Sequence, residues 1–300
     1  MVAPTTACTK IRPPTRRLLL STALAAGLVL GLGGFRSFEA NFAPSSDLWP
    51  RWQTHDATST ATIDASAWDG LIKAYLRPDP DGVDVFDYAA VTAADRSVLQ
   101  SFLAEMATLP ISTYSRPEQM AYWLNLYNAL TVEVILEHYP VKSIRDIDTS
   151  PGWFADGPWD QKLIRVENED LTLNDIEHRI LRPIWQDARI HYGVNCASIG
   201  CPDLQLDAFT GANLEAQLEA AARDYINDDR GVSISGDEIQ VSSIYDWFFE
   251  DFGGTEDTLM AHLIQYAEPQ LASQLQAIGT LHDSDYDWRL NAPEILAAAR

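Results

Sequence analysis

The sequence predicts an α+β fold: a helical front half, then a small mixed sheet flanked by helices. Three observations carry that expectation. Apolar residues recur at helical spacing from "DASAWDGLIKAYL" through "MAYWLNLYNALTVEVILEHYP". Beyond Pro140 the pattern shortens to strand-like runs, "QKLIRV" and "ARIHYGVN", and "GVSIS-GD-EIQVS" reads as a hairpin about Gly236-Asp237. Finally, 300 residues at 46% hydrophobic and 10% aromatic are enough to bury a large core.

The first 38 residues stand apart, with five basic residues and no acidic one. "LLLSTALAAGLVLGLGG", Leu18 to Gly34, is uncharged and of signal-peptide length, and "TRRLLLS" before it resembles a twin-arginine export signal. Residues 1–40 therefore read as a signal peptide or an uncleaved N-terminal anchor, which places the protein outside the cytoplasm, in the periplasm or beyond. From Glu39 onward 16 basic and 43 acidic residues remain, a net of −27. Such a surface repels nucleic acid and anionic lipid, so no nucleic-acid partner is expected, and membrane contact only through the N-terminal segment.

Residues 41–66, rich in Ser, Thr, Ala and Pro, read as a linker, and 67–115 as a helical N-terminal region. The α+β domain is expected over 116–300. Its longest helix starts with Ser115 as N-cap, Pro117 in the first turn and Glu118 completing a capping box, and Pro140 stops it. Shorter helices are expected at "LNDIEHRIL", "NLEAQLEAAARDYIND", "SSIYDWFFEDF", "TLMAHLIQYA" and "LASQLQAI". In "LNDIEHRIL", Asn174 and Glu177 have the spacing of a capping box.

Chemistry concentrates in "IHYGVNCASIGCPDL", where Cys196 and Cys201 share one turn of small residues; the third cysteine, Cys8, is remote. Three readings are open: a metal clip, a disulfide, or a nucleophile with a bystander. A zinc site wants a second ligand pair, and the six histidines are scattered, so neither a metal nor a cofactor is expected. A disulfide suits an exported chain and would silence thiol chemistry. A nucleophile needs a base and an orienter. His178, beside Glu177, is the candidate base; His191 would alternate away from Cys196 on a regular strand. Small residues after Cys196, including Ser198, offer amides for an oxyanion. On the long helix, Asn125 and Asn128 lie i, i+3 on one side, placed to orient a histidine, line a cleft or tie the helix to a loop.

"YWLNLYNALTVEVI", "LTLNDIEHRILRP", "ARIHYGVNCASIGCPDL", "AFTGANLEAQLEAAARDYIND" and the closing "YDWRLN" together resemble the family called domain of unknown function 547. The resemblance implies a circularly permuted papain-like or NlpC-type cysteine peptidase fold behind a helical region. It further implies a Cys–His–Glu group on Cys196, His178 and Glu177, and relatives with serine at the position of Cys201. The activity so implied is thiol hydrolysis of a peptide or amide, with a cell-wall peptide as one substrate class. A non-catalytic peptide- or protein-binding module with structural cysteines is the alternative, supported by the aromatic stretches "WFADGPW" and "YDWFFEDF". A thiol–disulfide redox protein is the third, against which the Cys-x4-Cys spacing speaks.

Overall fold

A computed structural model describes residues 35–37, 40, 43–79, 82–150 and 157–299. The apolar stretch Leu18 to Gly34 expected to direct export, Cys8 and most of "WFADGPW" lie outside these. The α+β class holds, with a helical N-terminal region. Helix α1 (Ser66–Tyr75) leads into the two-residue strands β1 (Leu76–Arg77) and β2 (Val85–Phe86), which pair antiparallel. Helix α2 (Ala93–Thr108) is capped by Thr92, whose hydroxyl accepts from Asp95 N.

Helix α3 (Arg116–His138) is the centre of the larger core. Seventeen of its 23 residues are buried, which is why its sequence shows apolar residues all round rather than a stripe. Ser115 is at its N-cap, but the expected box does not form. Glu118 instead accepts from the backbone N–H groups of Ile63 and Gly211, tying two loops to the helix.

The stretch expected as a linker packs against the body. Trp52 is buried with its ring edge-on to Trp123, 5.1 Å between centroids. Asp47 N and Trp49 N donate to the carbonyls of His178 and Arg179, and Gln119 reaches Thr54 O. Residues 43–54 thus form a strap across α3 and the segment carrying His178.

Strands β3 (Ile164–Val166) and β4 (Glu169–Leu171) form a hairpin whose turn residues Glu167 and Asn168 take positive φ. A π-helical turn follows, Asp175–Leu181, continuing into α4 (Arg182–Trp185). "ARIHYGVN" is not a strand: Ile190–Gly193 is the single helical turn α5, and Val194 resumes extended backbone. Helix α6 (Leu214–Asn227) then packs on α5.

The expected hairpin is present as β5 (Val232–Ser235) and β6 (Glu238–Ser242), with Gly236 at φ 67° in the turn. "SSIYDWFFEDF" divides into α7 (Ser243–Trp247) and a 3₁₀ turn, Phe249–Phe252. Helices α8 (Glu256–Tyr266) and α9 (Pro269–Ile278) precede β7 (Asp283–Asp285), which adds to β6 in parallel and makes a three-stranded mixed sheet. The chain ends in α10 (Pro293–Ala299). A second core joins this sheet to α6, α7 and α8. Among the described residues no helix is long and apolar enough to cross a membrane.

Candidate functional site

Where the two cores meet lies a cavity of about 340 Å³, lined by Glu177, His178, His191, Cys196 and Cys201 together with aromatic walls. Each polar member is placed by a different local device.

Glu177 and His178 come from the π-helical turn. That turn is opened by a reciprocal box between Thr172 and Asp175: Asp175 N donates to Thr172 Oγ1, and Thr172 N to Asp175 Oδ2. Asn174 and Glu177 do not form the box expected of them. Asn174 donates to Asp160 instead, and Glu177 is left facing the cavity. Burial, with the Glu177 charge adding to it, holds the pKa of the nearby Tyr127 hydroxyl well above its ordinary value. Insertions of π geometry recur at functional sites because they turn adjacent side chains off the α-helical spacing.

Two histidines flank Glu177: its Oε1 lies 3.9 Å from Nδ1 of His178 and 3.9 Å from Nδ1 of His191. Their hydrogen-bond partners differ. Arg182 Nη1 donates to His178 Nδ1 at 2.9 Å, and arginine cannot accept, so the single proton of neutral His178 rides on Nε2. Burial lowers the pKa of His178 to about 4; Glu177 opposes the shift and Arg182 adds to it. His191 has the same tautomer for a different reason. Its Nε2 lies 2.7 Å from Asp251 Oδ2, a carboxylate that only accepts, so Nε2 carries the proton and Nδ1 keeps its lone pair. Phe248 stacks on the ring at 4.4 Å and fixes its plane. Burial disfavours the Asp251 carboxylate, but hydrogen bonds from His191 and Arg182 outweigh it and hold the pKa well below the usual range.

The cysteine turn is pinned from three sides. Asn128 on α3 donates to Gly193 O and accepts from Asn195 N, clamping the chain immediately before Cys196. Asn125, one turn away, does the same for Phe209 through its N–H and C=O. Neither amide reaches a histidine; both tie the helix to loops. Asn195 in turn accepts from Ala197 N, which allows Ala197 its positive φ of 60° and removes that amide from any oxyanion role. The C-terminal tail runs along the turn: Ile199 N donates to Arg289 O and Gly200 N to Asp287 O, both at 2.8 Å. A Cβ on Gly200 would lie 2.8 Å from Asp287 N, so only glycine admits the tail.

Within the turn, Cys196 and Cys201 are joined as a disulfide. The two sulfurs are not equivalent. Cys196 is part-exposed to the cavity, whereas Cys201 is buried behind it, its sulfur accepting from Cys196 N. Ser198 Oγ and Tyr286 Oη lie against the pair.

Residues 111–226 match the model of the family described as "Protein of unknown function, DUF547". That stretch of the chain is similar to the family. No curated protein and no solved structure matches the chain. The DUF547 segment supplies Glu177, His178, His191, both cysteines and the Asn125 and Asn128 clamps. The remaining wall comes from outside it: Trp247, Phe248, Tyr286 and Trp288 on the far side, and Ala43 and Pro44 of the strap, with Asp251 bonded to His191. Asp251 and Tyr286 have no sequence signal of their own. His191 was visible as a histidine near Cys196, but strand alternation pointed it to the wrong face. A helical turn places both on the cavity.

Proposed function

We propose that this protein is a thiol hydrolase of peptides or amides whose nucleophile, Cys196, is masked while the bridge to Cys201 is closed. The observation that carries the reading is the common cavity: the exposed sulfur of the bridge faces the same space as a buried Glu177–His191–Asp251 array. Burying Glu177, His178 and His191 on the wall of one cavity with the sulfur is costly unless they do work there.

Reduction comes first. A dithiol reductant gives two electrons and two protons to the bridge, leaving two thiols and its own disulfide. Cys196 then passes its proton to Nδ1 of His191, the ring with a lone pair to offer, rather than to His178, whose Nδ1 is taken by Arg182. The proton so acquired would lie between the carboxylates of Glu177 and Asp251. The thiolate attacks the amide carbonyl carbon, forming a C–S bond. The C–N bond breaks as His191 protonates the leaving amine, and water hydrolyses the thioester to free the thiol. Glu177 holds the charge that appears on His191, and His178 serves as an Nε2–H donor toward the cavity. A disulfide in this turn is in keeping with export to an oxidising compartment, where cell-wall peptides are a reachable substrate class.

The test is a peptide-library digestion read by mass spectrometry, with the purified protein before and after treatment with a dithiol. Cleavage is expected only after reduction, and is lost in Cys196→Ser and in His191→Gln. If the reduced protein cleaves nothing, the reading fails. The bridge itself favours a second reading, a peptide-binding cleft stapled by a structural disulfide. That reading predicts equal peptide binding by the bridged and the reduced protein.

A further inference from the structure

Tyr286 lies outside the DUF547 segment, yet its hydroxyl is at the centre of the sulfur chemistry. Its Oη is 3.1 Å from Cys196 Sγ, 3.1 Å from Cys201 Sγ and 2.9 Å from Ser198 Oγ. The tail brings it there. Gly200 N donates to Asp287 O, and Ser198 pairs with Leu290, so the residue ahead of Asp287 is laid over the turn. Trp247 and Trp288 pack on its ring at 4.8 and 4.7 Å between centroids, which fixes its tilt.

We propose that Tyr286 is a catalytic residue: its hydroxyl donates a hydrogen bond to the Cys196 thiolate, with Ser198 as the positioning residue that donates to Tyr286. The proposal rests on the thiol-hydrolase reading for its catalytic meaning, but not for the hydrogen bond. Three features support it. A phenol has one proton, and Ser198, which donates into Oη, leaves that proton for a sulfur. Burial raises the Tyr286 pKa well above its ordinary value, with Tyr225 and Glu177 adding to the shift and Ser198 and Arg230 opposing it, so the donor stays protonated. Finally, Ala197 N is committed to Asn195 and Cys196 N to Cys201, which leaves the phenol as a built-in donor at the nucleophile. The other charged or titratable groups that line the cavity with the sulfur are Tyr127, Arg145, Asp160, Glu177, His178 and His191.

The experiment uses the full chain carrying Cys201→Ser, so that Cys196 cannot bridge within the turn. Alkylation of Cys196 by iodoacetamide is followed against pH, with the site assigned by mass spectrometry. Tyr286→Phe removes the donor and leaves the ring. Its expected effect is to move the midpoint of Cys196 alkylation upward by about one pH unit, roughly a tenfold smaller thiolate share at a given lower pH. Ser198→Ala is expected to move it the same way by less. A Tyr286→Phe midpoint equal to that of the parent overturns the proposal. Should Tyr286→Phe fail to fold by circular dichroism, Tyr286→Leu is read against Ser198→Ala, whose own Oγ lies 3.2 Å from the Cys196 sulfur: a larger upward shift in Tyr286→Leu than in Ser198→Ala supports the phenol as donor, and a shift no larger overturns it. The hydrolase reading is judged separately, by peptide cleavage. If Tyr286→Phe raises the midpoint while the parent and native proteins cleave nothing, the thiolate donor stands and the hydrolase reading falls.

Discussion

His191 and Asp251 are joined Nε2 to Oδ2 at 2.7 Å, across 60 residues of chain, and Arg182 Nε reaches the same oxygen at 2.5 Å. One carboxylate oxygen therefore fixes the tautomer of His191 and, through Arg182, that of His178. The two rings that flank Glu177 are thus set in the same Nε2–H tautomer by one shared residue, but Arg182 occupies the Nδ1 lone pair of His178 and leaves that of His191 open.

Asp251→Asn tests that coupling. The amide can still accept from His191, but it no longer stabilises a positive ring or neutralises Arg182. On the proposed mechanism, turnover by the reduced protein is expected to fall on the order of a hundredfold with little change in KM, since the variant loses the carboxylate that stabilises the charged His191 and so the thiolate it generates. Steady-state kinetics on any peptide the parent cleaves would show this, and a pure KM effect would refute it.

Acid stability follows from two buried neutral histidines. Burial lowers both His178 and His262 from 6.5 to about 4. Unfolded chains take up these protons near pH 6.5, whereas the folded protein refuses them until about pH 4. Across that window the unfolded state binds more protons, so stability is complete above pH 6.5 and is lost as pH falls toward 4. At ~1.4 kcal/mol per pH unit, His178 alone accounts for up to about 3 kcal/mol, and the less covered His262 for less. Thermal melts at pH 7, 5.5 and 4 should show a falling Tm, and His262→Gln should flatten the fall. A Tm independent of pH over this range would contradict the burial of both rings.

The strap makes a prediction about a region whose composition reads as a linker. Trp52 is 3% exposed and touches Trp123 at the heart of α3. Trp52→Ala should cost about 3–5 kcal/mol, a value expected of a core aromatic and not of a linker residue. Urea unfolding gives the number directly; a loss below about 1 kcal/mol would mean that the strap contributes little.

What was legible in the sequence follows the range of the forces involved. The β5–β6 hairpin was readable because Gly236 supplies its turn locally, and α3 because it is long, apolar and closed by Pro140. Cys196, His178 and Glu177 were found as candidates and do line one cavity. The Ile190–Gly193 turn was misread because four residues carry no period, and its helical state is chosen by packing on α6. The capping box lies two residues earlier than the spacing suggests: Thr172 and Asp175 satisfy the helix start, which frees Glu177. Asp251 and Tyr286 were illegible because their partners are 60 and 90 residues away, where only the folded chain brings them together.

Asn128 and Asn125 offer the sharpest separation of site from scaffold. Both amides are buried, and each satisfies one backbone N–H and one C=O of a loop. Replacing either by Leu strands a buried donor and a buried acceptor, at about 1–3 kcal/mol each, so the two variants should lose similar stability. Their effects on Cys196 should differ. Asn128 holds Gly193 and Asn195, the residues that aim Cys196, whereas Asn125 holds Phe209, beyond the turn. In the reduced protein, Asn128→Leu should therefore slow Cys196 alkylation, while Asn125→Leu should leave its rate near that of the parent. Equal rates in the two variants would show that Cys196 is positioned by the turn itself and not by α3.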